Sequence, residues 1–100
     1  MSSGGIKHDQ NKPMIALLEP QYILGTAQVM TFGATKYGRE NWKQDMPDAI
    51  FRLYSAAMRH LLAFQSGETI DPESGMSHLY HASANLMMLD HYMRLSEDGK

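Results

Sequence analysis

The chain has 100 residues, 43% of them hydrophobic and 20% charged, and a formal net charge of −2. That is a single small domain with a thin core, and with no basic excess it is not built for duplex nucleic acid. It has no cysteine, which excludes disulfides, thiolate metal sites and a cysteine nucleophile and fits a reducing compartment.

Residues 1–13 read as an arm. Met1 to Gly5 lack the apolar run of a signal peptide, and Ile6 to Pro13 show neither a helical nor a strand period. No apolar stretch reaches the roughly 18 residues that cross a bilayer, so no membrane partner and a cytoplasmic location are expected. Residues 14–19 form a short apolar stretch. Pro20 suits a first helical turn, which places helix one over about 20–32, with Ile23, Ala27 and Met30 inward and Gly33 as its stop. Residues 33–42 hold two glycines, an Asn and the single Trp, and read as an ordered turn.

Helix two is predicted from Pro47 to just before Gly67, with Asp45 or Asp48 at its positive end. Ile50, Tyr54, Ala57, Leu61 and Phe64 recur at helical spacing, and Phe51, Met58 and Leu62 form a second apolar row. A helix apolar on two sides is expected at the centre of a bundle. Residues 66–76 are rich in turn formers and carry Glu68, Asp71 and Glu73. Helix three is predicted over about 75–95, with Leu79, Ala82, Leu86, Leu89 and Met93 as its seam, before a polar tail at 96–100. The expected fold is all-α: one domain over 1–100, a small bundle of about three helices with an N-terminal arm, completed by oligomerisation. Three helices leave apolar surface over, notably beside Met87, Met88 and Tyr92, and a small core borrows stability from a partner chain, giving a homodimer or tetramer. Nine methionines fit core filling better than an adaptable interface.

A short loop makes helices two and three antiparallel neighbours. Arg59 and His60, at the end of one, therefore meet His78 and His81, at the start of the other, with the loop acids at the same end. His78, His81 and Asn85 share one face of helix three. Imidazole with carboxylate suits Zn, Mn, Fe or Ni, carboxylate alone suits Mg or Mn, and a histidine in such a cluster can act as a general base. The plain alternative is a hydrogen-bonded network that ties the loop down. Several ionisable groups converging in so small a core favour a functional role. Lys36, Tyr37, Arg39 and Trp42 put cations beside aromatics, a combination that answers phosphate and stacks bases, or else a turn pinned by its Trp. Lys7, Asp9 and Lys12 can reach an anion from the arm. There is no phosphate-binding glycine loop and no nucleophile elbow.

Five short islands, in order, carry a resemblance: Gly5-Ile-Lys7-His-Asp9-Gln-Asn-Lys12-Pro13, Phe32-Gly33-Ala-Thr-Lys36-Tyr37-Gly38 with Asn41-Trp42, Ala57-Met-Arg59-His60-Leu61, Gly67-Glu68-Thr-Ile-Asp71-Pro-Glu73-Ser-Gly75, and His78-Leu-Tyr-His81-Ala with Asn85. Together they resemble a phage-associated family, the dATP/dGTP diphosphohydrolase N-terminal domain family, related in function to the all-α MazG-like nucleotide pyrophosphohydrolases. The resemblance implies metal-dependent cleavage of a purine deoxynucleoside triphosphate to monophosphate and pyrophosphate, in the host cytoplasm if the gene is a phage's. It implies Mg or Mn on Glu68, Asp71 and Glu73, with His60, His78 and His81 as further ligands or as partners that orient them, and with His60, Glu68 and Asp71 as the catalytic set. It implies nucleotide contacts from Lys7, Lys12, Lys36, Tyr37, Asn41, Trp42, Arg59, His78, His81 and Asn85.

MazG-like enzymes carry EExxE on one helix and ExxD on the next. Residues 47–65 hold Asp48 as their single acid, and the ExxD of Glu68 and Asp71 falls between Gly67 and Pro72. Two alternatives to the hydrolase follow: a non-catalytic nucleotide binder that sequesters its ligand, and a structural module using Met-rich surfaces. An HD-type phosphohydrolase is disfavoured, because Asp90-His91 runs in the wrong order and late in a helix.

Overall fold

In the computed structural model, which describes residues 11–44 and 46–98, three α-helices follow a 3₁₀ turn at Ile15–Leu17. Helix α1 (Pro20–Tyr37) opens on Pro20, with the Glu19 carboxylate accepting from the Gln21 backbone N–H at 3.4 Å. It runs past Gly33, five residues beyond the predicted stop. An interior glycine costs a helix only about 1 kcal/mol, whereas Gly38 takes a φ of 98° that side-chain-bearing residues rarely adopt, and there α1 ends. A second 3₁₀ turn, Asn41–Lys43, carries Trp42.

Helix α2 (Ala49–Gln65) starts after Pro47 and Asp48, the latter in the left-handed region with φ 54°. Helix α3 (His78–Asp98) starts three residues later than predicted and extends into the predicted polar tail. The loop between them is closed by an antiparallel bridge between Ile70 and Ser77 and by the His78 N–H donating to the Thr69 carbonyl at 2.9 Å. Asp45, one of the two acids expected at the start of helix two, lies outside the described residues, as does most of the arm.

Helix α3, not α2, is the central element: it packs extensively on α2 and less extensively on α1. The reason is visible in which residues are buried. The core is Val29, Ala49, Leu53, Ala57, Ala82 and Ala84, with His78 as a buried polar group. The small side chains of Ala49, Ala57 and Ala82 let α2 and α3 approach closely, with Leu53 buried between them. Gly25 does the same for α1, its Cα lying directly against the Tyr80 ring, and the Thr26 hydroxyl donates to Ser83 Oγ at 2.8 Å beside it.

The expected buried faces are corrected accordingly. Ile23 and Ala27 of α1 are exposed and Met30 is half-buried, while Gly25 and Val29 face inward. In α2, of the predicted row only Ala57 is buried; Ile50, Tyr54, Leu61 and Phe64 are exposed. In α3, Ala82 is buried, Leu79 and Leu89 are half-buried, and Leu86 and Met93 are exposed. The bulky rows read from the sequence are present at helical spacing, but within one chain the alanine rows make the contact. The side of α2 away from α3 thus carries Phe51, Tyr54, Met58, Leu61 and Leu62 in the open, Phe51 at 73% exposure. No helix among the described residues is long and apolar enough to cross a membrane.

Candidate active site

Because α1 and α2 both lean on α3, they leave a groove between them. Helix α3 forms its floor with His81, Ala84, Asn85 and Met88. Its walls carry Phe32 and Tyr37 from α1, Arg52 and His60 from α2, and Arg39, Asn41 and Trp42 from the connection. The volume is about 520 Å³, within the range of small-molecule sites.

At one end of the groove the loop delivers a carboxylate to two imidazoles. His60 and His81 stack, with ring centroids 4.5 Å apart and planes 9° from parallel. Asp71 Oδ2 lies 3.4 Å from His81 Nε2. One ligand-capable atom from each of His60, Asp71 and His81 falls within 4.8 Å of the other two. The loop holds Asp71 through its backbone: its N–H donates to the Met76 carbonyl and its own carbonyl accepts from the Gly75 N–H, both at 2.8 Å. Gly75, at φ 75°, makes that reversal accessible. The Ser74 hydroxyl lies 2.6 Å from His81 Nε2 and 3.3 Å from Asp71 Oδ2, tying the pair together.

Behind this cluster runs a second chain. His78 is buried, with Nε2 2.8 Å from Glu68 Oε1 and Nδ1 2.8 Å from His60 Nδ1. An ionised carboxylate only accepts, so His78 Nε2 is the donor to Glu68. With His78 neutral, its Nδ1 is then a lone pair that must accept from His60 Nδ1–H. That leaves the lone pair of His60 on Nε2.

Burial pushes both groove histidines toward the neutral form. For His60, burial is the main cause, and the neighbouring His81 and His78 add to it. For His81, burial also dominates, against opposition from Asp71. Burial pushes the Asp71 carboxyl up, but the Glu73 backbone N–H, His81 and the Ser74 hydroxyl outweigh it and hold it below the usual carboxylate value.

The predicted residues therefore divide. His60, His81, Tyr37, Asn41, Trp42 and Asn85 line the groove, and Asp71 joins the histidines at its end. Glu68 and His78 stand behind. Glu73 is ion-paired with Lys36 at 3.4 Å, and Lys36 also lies 5.2 Å from the centroids of both the Phe32 and Tyr37 rings. Arg59 and Lys12 are exposed and are not among the groove-lining residues; Lys7 lies outside the described residues. Trp42 is pinned as well as exposed to the groove: its ring packs edge-on against His91 and Tyr92, and the Tyr92 hydroxyl donates to the Trp42 carbonyl at 2.6 Å.

Nothing in the sequence singles out Arg52, and Arg39 stands there only as one cation of the aromatic turn. Arg52, Ala56 and His60 follow at i, i+4 and i+8, so once His60 is placed the period points to Arg52. Ser74 was hidden in a turn and carried no periodic signal.

The fold and the groove together define an all-helical domain with a ligand-sized cleft that ends on a histidine–aspartate cluster. The chain belongs to the family described as dATP/dGTP diphosphohydrolase, N-terminal, whose model matches residues 2–99. It is similar to a dATP/dGTP diphosphohydrolase of Salmonella phage PMBT28, 39% identical over 85 residues. That match takes in 85% of this chain but 28% of the phage protein, so the chain spans little more than a quarter of that relative's length. No solved structure matches.

Proposed function

We propose that the groove binds a purine deoxynucleoside triphosphate and that the protein hydrolyses it to monophosphate and pyrophosphate. The observation that carries this reading is the groove itself, with cations and aromatics along its walls and the histidine–aspartate cluster at its end. Arg39 and Arg52 answer the phosphates in charge-assisted hydrogen bonds. Tyr37 and Trp42 offer faces for the base, and Asn41 and Asn85 can both donate to and accept from its edge. In the reaction, water oxygen bonds to the α-phosphorus, the bridging bond to the β-phosphate oxygen breaks, and pyrophosphate leaves. On this reading the α-phosphate lies at the His60, Asp71 and His81 end of the groove, beside the imidazoles that can accept the water proton.

A magnesium or manganese cradle on Glu68, Asp71 and Glu73 does not fit these side chains. Glu68 is taken by His78 and Glu73 by Lys36, so Asp71 alone of the three reaches the cluster. No step is therefore routed through such a cradle. The same shortage of clustered carboxylates favours a second reading, in which the domain holds its nucleotide without cleaving it.

The test is incubation with each deoxynucleoside triphosphate, with and without divalent ions, and separation of products by anion exchange. Monophosphate and pyrophosphate, reduced by Asp71→Asn, are the expected result. Nucleotide retained on the protein and released intact on denaturation would replace the hydrolase reading with the binding one. Neither product nor retained nucleotide would discard both.

A further inference from the structure

We infer that His60, Asp71 and His81 form a binding site for a first-row transition-metal dication, selective against magnesium. The inference stands on side-chain geometry and does not rest on the nucleotide reading. Three ligand atoms, two from imidazole and one from carboxylate, already lie within 4.8 Å of one another. A dication bound by such ligands sits about 2.0–2.2 Å from each donor, so all three reach one ion once the stacked His60 and His81 rings, now 9° from parallel, turn their in-plane lone pairs toward a common point.

The donor set decides the metal. Magnesium keeps a near-octahedral shell of oxygen and gives up water reluctantly. Two imidazoles and one carboxylate suit zinc, iron, cobalt or nickel, and leave positions open for water or a ligand oxygen.

The groups behind the site act as positioning residues. A histidine that binds metal through one nitrogen usually donates its other N–H to an acceptor that fixes the ring. Here His60 Nδ1–H has that acceptor in His78 Nδ1 at 2.8 Å, and His78 is itself fixed by Glu68 at 2.8 Å. The relay keeps the free lone pair of His60 on Nε2, where it is available to an ion. Ser74 bridges Asp71 Oδ2 and His81 Nε2, the two atoms that face each other at 3.4 Å, and its hydroxyl gives up the His81 nitrogen when an ion binds there. The site opens on the groove through His60 and His81, which gives an ion a path in and sets it beside whatever the groove holds.

The experiment uses the untagged chain, stripped with chelator and titrated with Co²⁺ in the absence of nucleotide. Visible d–d bands report coordination, and elemental analysis reports stoichiometry. The expected result is saturation at one ion per chain, displacement by Zn²⁺, and no displacement by millimolar Mg²⁺. Asp71→Asn and His81→Gln should abolish the bands while circular dichroism shows the helices intact, and His91→Gln should keep them. On the wild-type protein, Zn²⁺ should shift the ring nitrogens of His60 and His81 in ¹⁵N spectra and leave those of His91 in place, which covers the case where a variant fails to fold. Absence of bands, displacement by Mg²⁺, or shifts confined to His91 would each overturn the inference. Because no nucleotide is present, failure here leaves the proposed substrate untouched, and failure to hydrolyse nucleotide leaves the metal site standing.

Discussion

His60 and His78 face each other Nδ1 to Nδ1 at 2.8 Å, and only one of the two nitrogens can carry the shared proton. Glu68 decides which, by accepting from the far side of His78. Long-range ¹H–¹⁵N spectra of the metal-free protein should show His78 as the Nε2–H tautomer and His60 as the Nδ1–H tautomer. Finding His60 protonated on Nε2 would remove the relay. Glu68→Ala should release the preference, with both rings becoming tautomer mixtures.

Acidification should weaken the metal-free fold. The folded-state values of His60 and His81 lie below the ordinary imidazole value, so the unfolded chain binds protons more readily than the folded one. Their contribution to stability is therefore complete above about pH 6.5 and is lost as pH falls below it. Urea unfolding of the chelated chain should show a midpoint that drops through that window, and His81→Gln should flatten the slope. A midpoint that rises on acidification would contradict the burial of these rings. Asp71, held below the usual carboxylate value, contributes in the same direction but at lower pH.

Gly25 supports the Tyr80 ring with no room for a methyl group between them. Gly25→Ala should cost about 1–3 kcal/mol through overpacking, despite alanine's better helix propensity. Thermal melts of Gly25→Ala, Tyr80→Ala and the double variant check it. The double variant should be less destabilised than the sum of the singles, because removing the ring removes the clash. Strict additivity would mean that α1 and α3 do not touch there.

Arg52 and Arg59 lie on the same helix but only Arg52 lines the groove. Loss of a charged hydrogen-bond partner costs about 1.5–3 kcal/mol, so Arg52→Ala should weaken nucleotide binding by roughly ten- to a hundredfold. Arg59→Ala should change it little. The fold should tolerate Arg52→Ala, because its one described hydrogen bond is a long one, 3.4 Å to the Pro47 carbonyl. Isothermal titration of both variants with the same nucleotide separates them, and equal effects would move the phosphates out of the groove.

The outward row of α2, Phe51, Tyr54, Met58, Leu61 and Leu62, calls for a cover, and a second copy of this chain is the proposed one. Sedimentation velocity at about 10 μM should show a dimer or tetramer that Leu62→Glu disperses. A wild-type monomer at that concentration would discard self-association and leave the row to another partner.

How far the sequence could be read follows from what each signal measures. Pro20, Gly67 and the loop chemistry placed three helices well, because caps and breakers act locally. Gly33 misled, since a glycine inside a helix is only mildly unfavourable and nothing local shows that Gly38 takes the left-handed turn. The apolar rows of α2 and α3 were found at the right spacing, yet periodicity identifies an apolar face and not the chain that covers it. Ala49 and Ala84 carry almost no hydrophobic signal and still help form the core. The convergence of His60, His78 and His81 followed from antiparallel helices alone. The partners of Glu68 and Glu73 did not, because they depend on side-chain directions in a loop with no period.

Asp71 reaches the cluster from that loop, whereas His60 and His81 ride on helices. The separation of the carboxylate from the two rings is thus governed by how many residues the turn between Gly67 and Gly75 contains, and it can change without any change in helix packing. Lengthening or shortening that turn by a single residue would shift the carboxylate against the two rings on an otherwise constant scaffold. That turn is accordingly the segment whose length sets the distance between carboxylate and rings while the helices stay where they are.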